Sequence, residues 1–246
     1  MDTASLTHTE PTAGIAEMSG TAFCGMPRSG RNQGRMRLSP VSKALVGVCW
    51  ATLLLLSSCS SEPSKPAEKP EVKAPDLITG RSGFQKAYVA ARGWQQDTKP
   101  YRLESSITSD GNGHDGKSAI WRGSFASAER RAAKSWTWSG SNAEGAPERG
   151  VNPGIEDSYS PTNASTQVFD PAFLKIDSDQ AFATSQKHGG DKTLEKEPNT
   201  PVLYVLDWNH NTNELVWHVI YGSSRDNAKL TVAVNASSGD FIRVEK

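Results

Sequence analysis

Two stretches of this chain carry one spacing of aromatic and small residues. IWRGSFASAERRAAKSWTW, from Ile120, lies over VWHVIYGSSRDNAKLTVAV, from Val216, at a constant offset. Trp121 then matches Trp217, Phe125 matches Tyr221, Ser127 matches Ser223, Ala132 matches Ala228, Trp136 matches Val232 and Trp138 matches Val234. A repeat of this kind constrains a fold more than composition does, because each copy must be one supersecondary unit whose apolar face needs a neighbour. The competing reading is a coincidence between two amphipathic hairpins. Under the repeat, Trp121 and Trp217 are equivalent core positions.

Each copy reads as a helix followed by antiparallel strands. In the second, Ser178 is placed to cap a helix on which Ala181, Phe182 and Ser185 share a face, and Lys187 to Gly190 is a helix stop. PVLYVLDW, NELVWHVIYG, AKLTVAVN and DFIRVE then alternate or run apolar, with turns at NHNTN, SSRDN and ASSGD. Gly239, in the last of these turns, is expected at positive φ, with Val232 and Val234 facing the helix. In the first copy the helix is GFQKAYVAARGW, and the strands are YRLESSIT, SAIWRGSFAS and AAKSWTW. This copy shows no counterpart to the Gly239–Asp240 turn or to the closing strand. Residues 141–172, rich in Gly, Pro, Ser and Asn, read as a connecting loop, and 191–200 as another. The fold class expected is α+β, with two related helix-on-antiparallel-sheet units at 77–140 and 173–246.

The tail VWHVIYGSSRDNAKLTVAVNASSGDFIRVEK resembles a PepSY-type module, whose aromatic strand, Val-rich strand, Gly-containing turn and closing strand match it in order. Asn235, Ala236, Ser238, Gly239 and Asp240 take the turn positions, and KIDSDQAFATSQKHGG is similar to that family's helix. The resemblance covers residues 173–246 and implies binding or inhibition of extracytoplasmic proteases or other envelope proteins, without catalysis.

Upstream lies LLLLSSCSSEPSKPAEKPEVKAP, a greasy run that becomes a charged, proline-rich string at Cys59. The apolar core from Ala44 to Leu56 is shorter than the roughly 20 residues of a membrane-spanning helix and suits a signal peptide. Arg35, Arg37 and Lys43 supply its positive flank. Leu56, Ser57, Ser58 and Cys59 resemble the bacterial lipobox, which implies diacylation of the Cys59 thiol, cleavage after Ser58 and stable anchoring by two or more acyl chains. Residues 1–58 are therefore read as an N-terminal extension with a lipoprotein signal that is complete from Met36. Residues 59–76 are the lipidated cysteine and a solvated tether. In a cell with two membranes, Ser60 after the cysteine resembles outer-membrane cargo, facing the periplasm.

Cys24, Cys49 and Cys59 are the only cysteines. Cleavage before Cys59 leaves one, committed to lipid, so the folded part is expected to hold neither an internal disulfide nor a thiolate metal site. Charge balances at 27 basic against 27 acidic residues, which leaves no electrostatic footprint for nucleic acid. No catalytic motif, cofactor fingerprint or metal spacing stands out. Two candidate ion sites are weighed against plain structure. His210 and His218, with Asp207 nearby, are either a surface metal site or a turn histidine and a strand histidine. DGNGHDGK, with His114 and Asp115, superficially resembles a calcium loop but has Trp121 where the bidentate Glu should stand, and reads as a solvated turn.

Aromatic side chains supply the remaining candidates for a partner surface: Tyr204, Trp208, Trp136 and Trp138. Trp136 and Trp138 alternate onto one strand face. Exposed, they would stack on sugar rings; buried, they are core under the first helix. The function expected is a lipid-anchored extracytoplasmic binding module for an envelope protein, and the alternative is a cell-wall or glycan binder using those tryptophans.

Overall fold

The computed structural model describes residues 73–245. Cys59, the segment read as a signal peptide and nearly all of the segment read as a tether lie outside the described residues. The elements are β1 (Ile78–Thr79), α1 (Gly80–Trp94), β2 (Lys99–Ser105), β3 (Lys117–Ser118), β4 (Ile120–Ser127), β5 (Ala132–Ser139) and β6 (Gly150–Ser158), then α2 (Ser178–Ser185), α3 (Asp191–Lys196), β7 (Val202–Asn209), β8 (Glu214–Gly222), β9 (Ala228–Asn235) and β10 (Phe241–Glu245). β1 and β3 form a two-stranded ribbon, and the other eight strands form one sheet in the order β10-β9-β8-β7-β2-β4-β5-β6. Every pairing in it is antiparallel. The fold is mixed, with one large antiparallel sheet and few helices.

The order falls into two meanders, β2-β4-β5-β6 and β7-β8-β9-β10, which meet where β2 pairs with β7 through Arg102↔Asp207, Leu103↔Leu206 and Glu104↔Val205. Strand β4 and strand β8 hold corresponding places. Trp121 pairs with Trp138 and Trp217 with Val234, in the register that the sequence match anticipates. Both tryptophans are fully buried, and each indole N–H donates to a backbone carbonyl just ahead of a helix: Trp121 to Ile78 at 2.8 Å, Trp217 to Ile176 at 2.9 Å. Their rings meet edge to face at 6.3 Å.

Alternation explains how the sheet is covered. Leu103, Trp121, Phe125, Tyr204, Leu206, Trp217, Val219, Val232 and Val234 project to one face and form the core with Phe84, Ala87 and Ala91 of α1 and Ala181 of α2. Phe182 packs against the same cluster, so Val232 and Val234 share a core with the helix as expected. Helix α1 approaches closely because its buried stripe is Gly80, Gly83, Phe84, Ala87 and Ala91, mostly small residues at helical spacing.

Several expectations need correction. Residues 141–172 are not all loop, because β6 closes the first meander. Pro153 and Gly154 hid it, and a sheet edge tolerates both, with the register shifting between the residues opposite Lys134 and Trp136. Residues 191–200 are not all loop either: after a kink at Gly189, φ 109°, the chain enters α3. The cap of α2 is Asp177, which forms a capping box with Gln180, whereas Ser178 turns inward. The Ser178 hydroxyl accepts from the Gly80 amide at 2.7 Å and donates to the Gly116 carbonyl, so the starts of α1 and α2 are tied together. DGNGHDGK is a turn solvated at Asn112 and Asp115 but anchored at its glycines and His114. Gly113 and Gly116 adopt positive φ where a Cβ would strike Val202 and Asp179, and His114 Nε2 lies 2.7 Å from the Thr200 carbonyl.

Gly239 has φ 85°, and its amide donates to the Asn235 carbonyl at 2.8 Å to close the β9–β10 turn. A Cβ there would make only ordinary contact with Ile176 at 3.4 Å, so the cost of adding one lies in the backbone. Gly239→Val is expected to destabilise the protein by about 1–2 kcal/mol, the left-handed penalty for a residue with a Cβ. An unchanged denaturation midpoint would refute that account of the turn.

Candidate functional site

The second face of the sheet carries no α-helix, only the short 3-10 turn Ala164–Thr166, and there the alternation delivers charge. With Leu206 and Trp208 turned one way on β7, Asp207 points the other. With Trp217 and Val219 in the core on β8, His218 joins it. His218 Nε2 lies 3.0 Å from Asp207 Oδ1 and Nδ1 lies 2.6 Å from Glu245 Oε2, so one ring bridges β7 and β10. Around it, Arg225 donates to Asp207 at 3.3 Å, Arg102 sits 3.7 Å from Asp207 and 2.9 Å from Glu104, and Arg243 donates to Glu245 at 2.6 Å.

Both ring nitrogens of His218 face carboxylates, an arrangement that only the doubly protonated ring satisfies with two donated bonds. Burial alone would push the imidazole toward its neutral form, but the hydrogen bonds to Asp207 and Glu245 and their charges outweigh it and hold His218 above the ordinary histidine value. Asp207 and Glu245 also lose hydration, yet the His218 hydrogen bond and the neighbouring cations hold both below the usual carboxylate range. Both nitrogens of His218 are taken up by Asp207 and Glu245, and His210 lies exposed in the β7–β8 turn, so the structure does not bring the two histidines together as metal ligands. Among the described residues no group of three or more His, Cys, Asp or Glu side chains is arranged to hold a metal ion.

Beside this network, on the same face, Arg122 is exposed on β4, directly opposite Glu104 on β2 and Thr137 on β5. It lines a groove of about 570 Å³ with Tyr101, Ser135, Thr137, Asp157 and Thr166. A smaller depression of about 200 Å³, between Tyr101, Arg102, Gln167, Asp207 and Trp208, links the groove's side of the face to the His218 network. The face thus combines charged groups held in place by one another with the exposed guanidinium of Arg122.

The aromatic candidates are distributed differently from expectation. Tyr204 is fully buried, and its hydroxyl donates to the Gly113 carbonyl, fixing the DGNGHDGK loop. Trp136 and Trp138 are 5% and 6% exposed and lie in the core, Trp136 against Phe125 and Trp94, so neither can stack on a sugar ring. Trp208 is half-buried, with its ring 5.2 Å from Phe173. Of the four, only Trp208 touches the surface depression. Cys59 lies outside the described residues.

Sequence reading noted Asp207 and His218 but missed Glu245, Arg225 and Arg243. The first pair follows from alternation across a hairpin. Glu245 reaches His218 across β9 only in the register set by an irregularity between Phe241 and Arg243, which no sequence period reveals. Among the described residues no helix is long and apolar enough to cross a membrane. No protein-family model, curated protein or solved structure matches the chain.

Proposed function

We propose that this chain is a lipid-anchored binding module of the cell envelope, held at Cys59, that engages an envelope protein through the face of its sheet that carries no α-helix and acts by binding, not by turnover. The observation that carries the reading is the division of labour between the two faces. One is filled by helices and tryptophans, and the other presents an ordered charge network around His218 beside the exposed Arg122. Groups pinned by one another lose little side-chain freedom when a partner docks, and charge arrays select partners by complementarity. The lipobox-like Leu56-Ser57-Ser58-Cys59 and the PepSY-like tail supply the address and the partner class, an extracytoplasmic protease or other envelope protein. With Ser60 after the cysteine, the module belongs on the periplasmic side of an outer membrane where the cell has one.

The two meanders are read as descendants of one duplicated unit. Support comes from the match of Trp121 with Trp217, from the indole bonds to Ile78 and Ile176, and from Phe84 of α1 and Phe182 of α2 lying at like positions after their helix starts. Strand β6 supplies the closing strand that the first copy lacked in sequence.

Anchor and face are tested separately. The mature N-terminus, measured by mass spectrometry, is expected to be an acylated Cys59, and Cys59→Ala is expected to leave an unprocessed precursor; an unmodified mature cysteine would sink the anchor. For the face, a photo-crosslinking residue at position 122 is expected to capture an envelope protein in intact cells. The same residue at 89, an exposed position on α1, is expected to capture none. Capture from 89 alone would overturn the assignment of the face.

A further inference from the structure

β10 is the edge strand of the sheet, five residues long, with Phe241 and Val244 partly exposed. Beyond its pairing with β9, two side-chain contacts hold it. Phe241 stacks on His188 at 3.8 Å on the helix side, and Glu245 binds His218 on the other side. The second contact skips β9, whose residue beside His218 is the small, uncharged Ala233. His218 therefore works as a clamp from β8, whose opposite nitrogen is fixed to Asp207 on β7.

We infer that the side-chain clamp on β10 depends on a proton on His218: with both ring nitrogens protonated the clamp is closed, whereas a neutral ring keeps one arm only, and loss of the Nδ1 proton releases Glu245 and leaves β10 with its β9 ladder and the Phe241–His188 stack, so that the edge strand opens more readily. The geometry requires this, because a neutral imidazole carries one N–H and cannot donate to two carboxylates at once. The charged groups facing His218 are Asp207 on β7, Glu245 and Arg243 on β10, Arg225 in the β8–β9 turn, and Arg102 and Glu104 on β2. The three arginines are already spoken for by Asp207, Glu104 and Glu245, so none replaces the lost imidazolium without breaking a pair.

The sign follows from linkage. His218 is raised above its ordinary value of 6.5 in the closed state, so its contribution is complete below that value and disappears as pH rises through the raised one. Asp207 and Glu245 are lowered, so their contribution is complete above the ordinary carboxylate range and disappears as pH falls through their folded values. Edge closure is strongest between the two ranges and is released on the alkaline side first.

The test is native-state amide exchange, read as protection factors that correct for intrinsic exchange, across the His218 titration followed by NMR. Protection of β10 amides is expected to fall severalfold as pH rises through the His218 titration, with β4 amides unaffected. Glu245→Gln, which removes one charge with little change in size, is expected to lower the His218 titration midpoint and flatten the response. His188→Phe keeps the stack on Phe241 and is expected to leave the response in place. Three results would each overturn the clamp: His218 titrating at or below the ordinary histidine value, β10 protection that is flat across the titration, or a response abolished by His188→Phe.

Discussion

Replacing Trp121 or Trp217 by alanine is expected to cost about 3–5 kcal/mol each, the range for truncating a buried large aromatic. Each change empties an indole-sized volume between sheet and helix and orphans a carbonyl, Ile78 or Ile176, that the N–H now satisfies. Against a typical domain stability of about 5–15 kcal/mol, either loss is a large fraction of the whole. Because the two rings touch, the double variant is expected to depart from the sum of the single ones, since the second truncation opens into a cavity already made. Urea denaturation of the two single variants and the double variant measures all three values. A single-variant loss below about 1 kcal/mol would mean the indoles are not the keystone drawn here.

Glycine in α1 offers an experiment in which two chemically identical changes are expected to have opposite signs. A Cβ at Gly83 would lie 2.5 Å from Trp121 Cγ and 2.6 Å from Trp121 Cβ, whereas one at Gly93 would meet nothing within 4 Å. Helix propensity favours alanine over glycine by up to about 1 kcal/mol at both places. At Gly93 that preference is unopposed, and Gly93→Ala is expected to stabilise by a few tenths of that figure or more. At Gly83 the added methyl must displace the helix or the indole, and overpacking of this kind costs about 1–3 kcal/mol or more, so Gly83→Ala is expected to destabilise. Denaturation midpoints decide it; stabilisation at Gly83 would show that α1 does not need its close approach to β4.

These two predictions use different parts of what the sequence discloses. That Trp121 and Trp217 are alike was readable in the spacing of their neighbours, because strand alternation is local: the backbone sends every second side chain to one face regardless of what lies beyond. Gly239 was readable for a similar reason, since a chain that reverses within a few residues needs a position without a Cβ. Gly83 was not singled out. Its role depends on where the Trp121 ring comes to rest, and that is decided by packing between elements distant along the chain.

The candidate site divides along the same line. Alternation alone put Asp207 and His218 on a common face, and the hairpin between β7 and β8 brought them close. The third member, Glu245, came from an edge strand two places away in the sheet, and its register depends on an irregularity in β10. Aromatic candidates went the other way. Alternation put Trp136 and Trp138 together, but it says nothing about which face of a strand meets a helix, and the helix covered theirs. The sequence by itself determined the local periods, the turn glycine and the placing of Trp121 and Trp217 on the buried face of their strands. Tertiary structure alone decided that the two meanders join through β2 and β7 into one sheet, that a Pro-containing segment serves as an edge strand, and that His218 faces two carboxylates. Those outcomes rest on contacts between residues far apart along the chain, and no local period encodes such contacts.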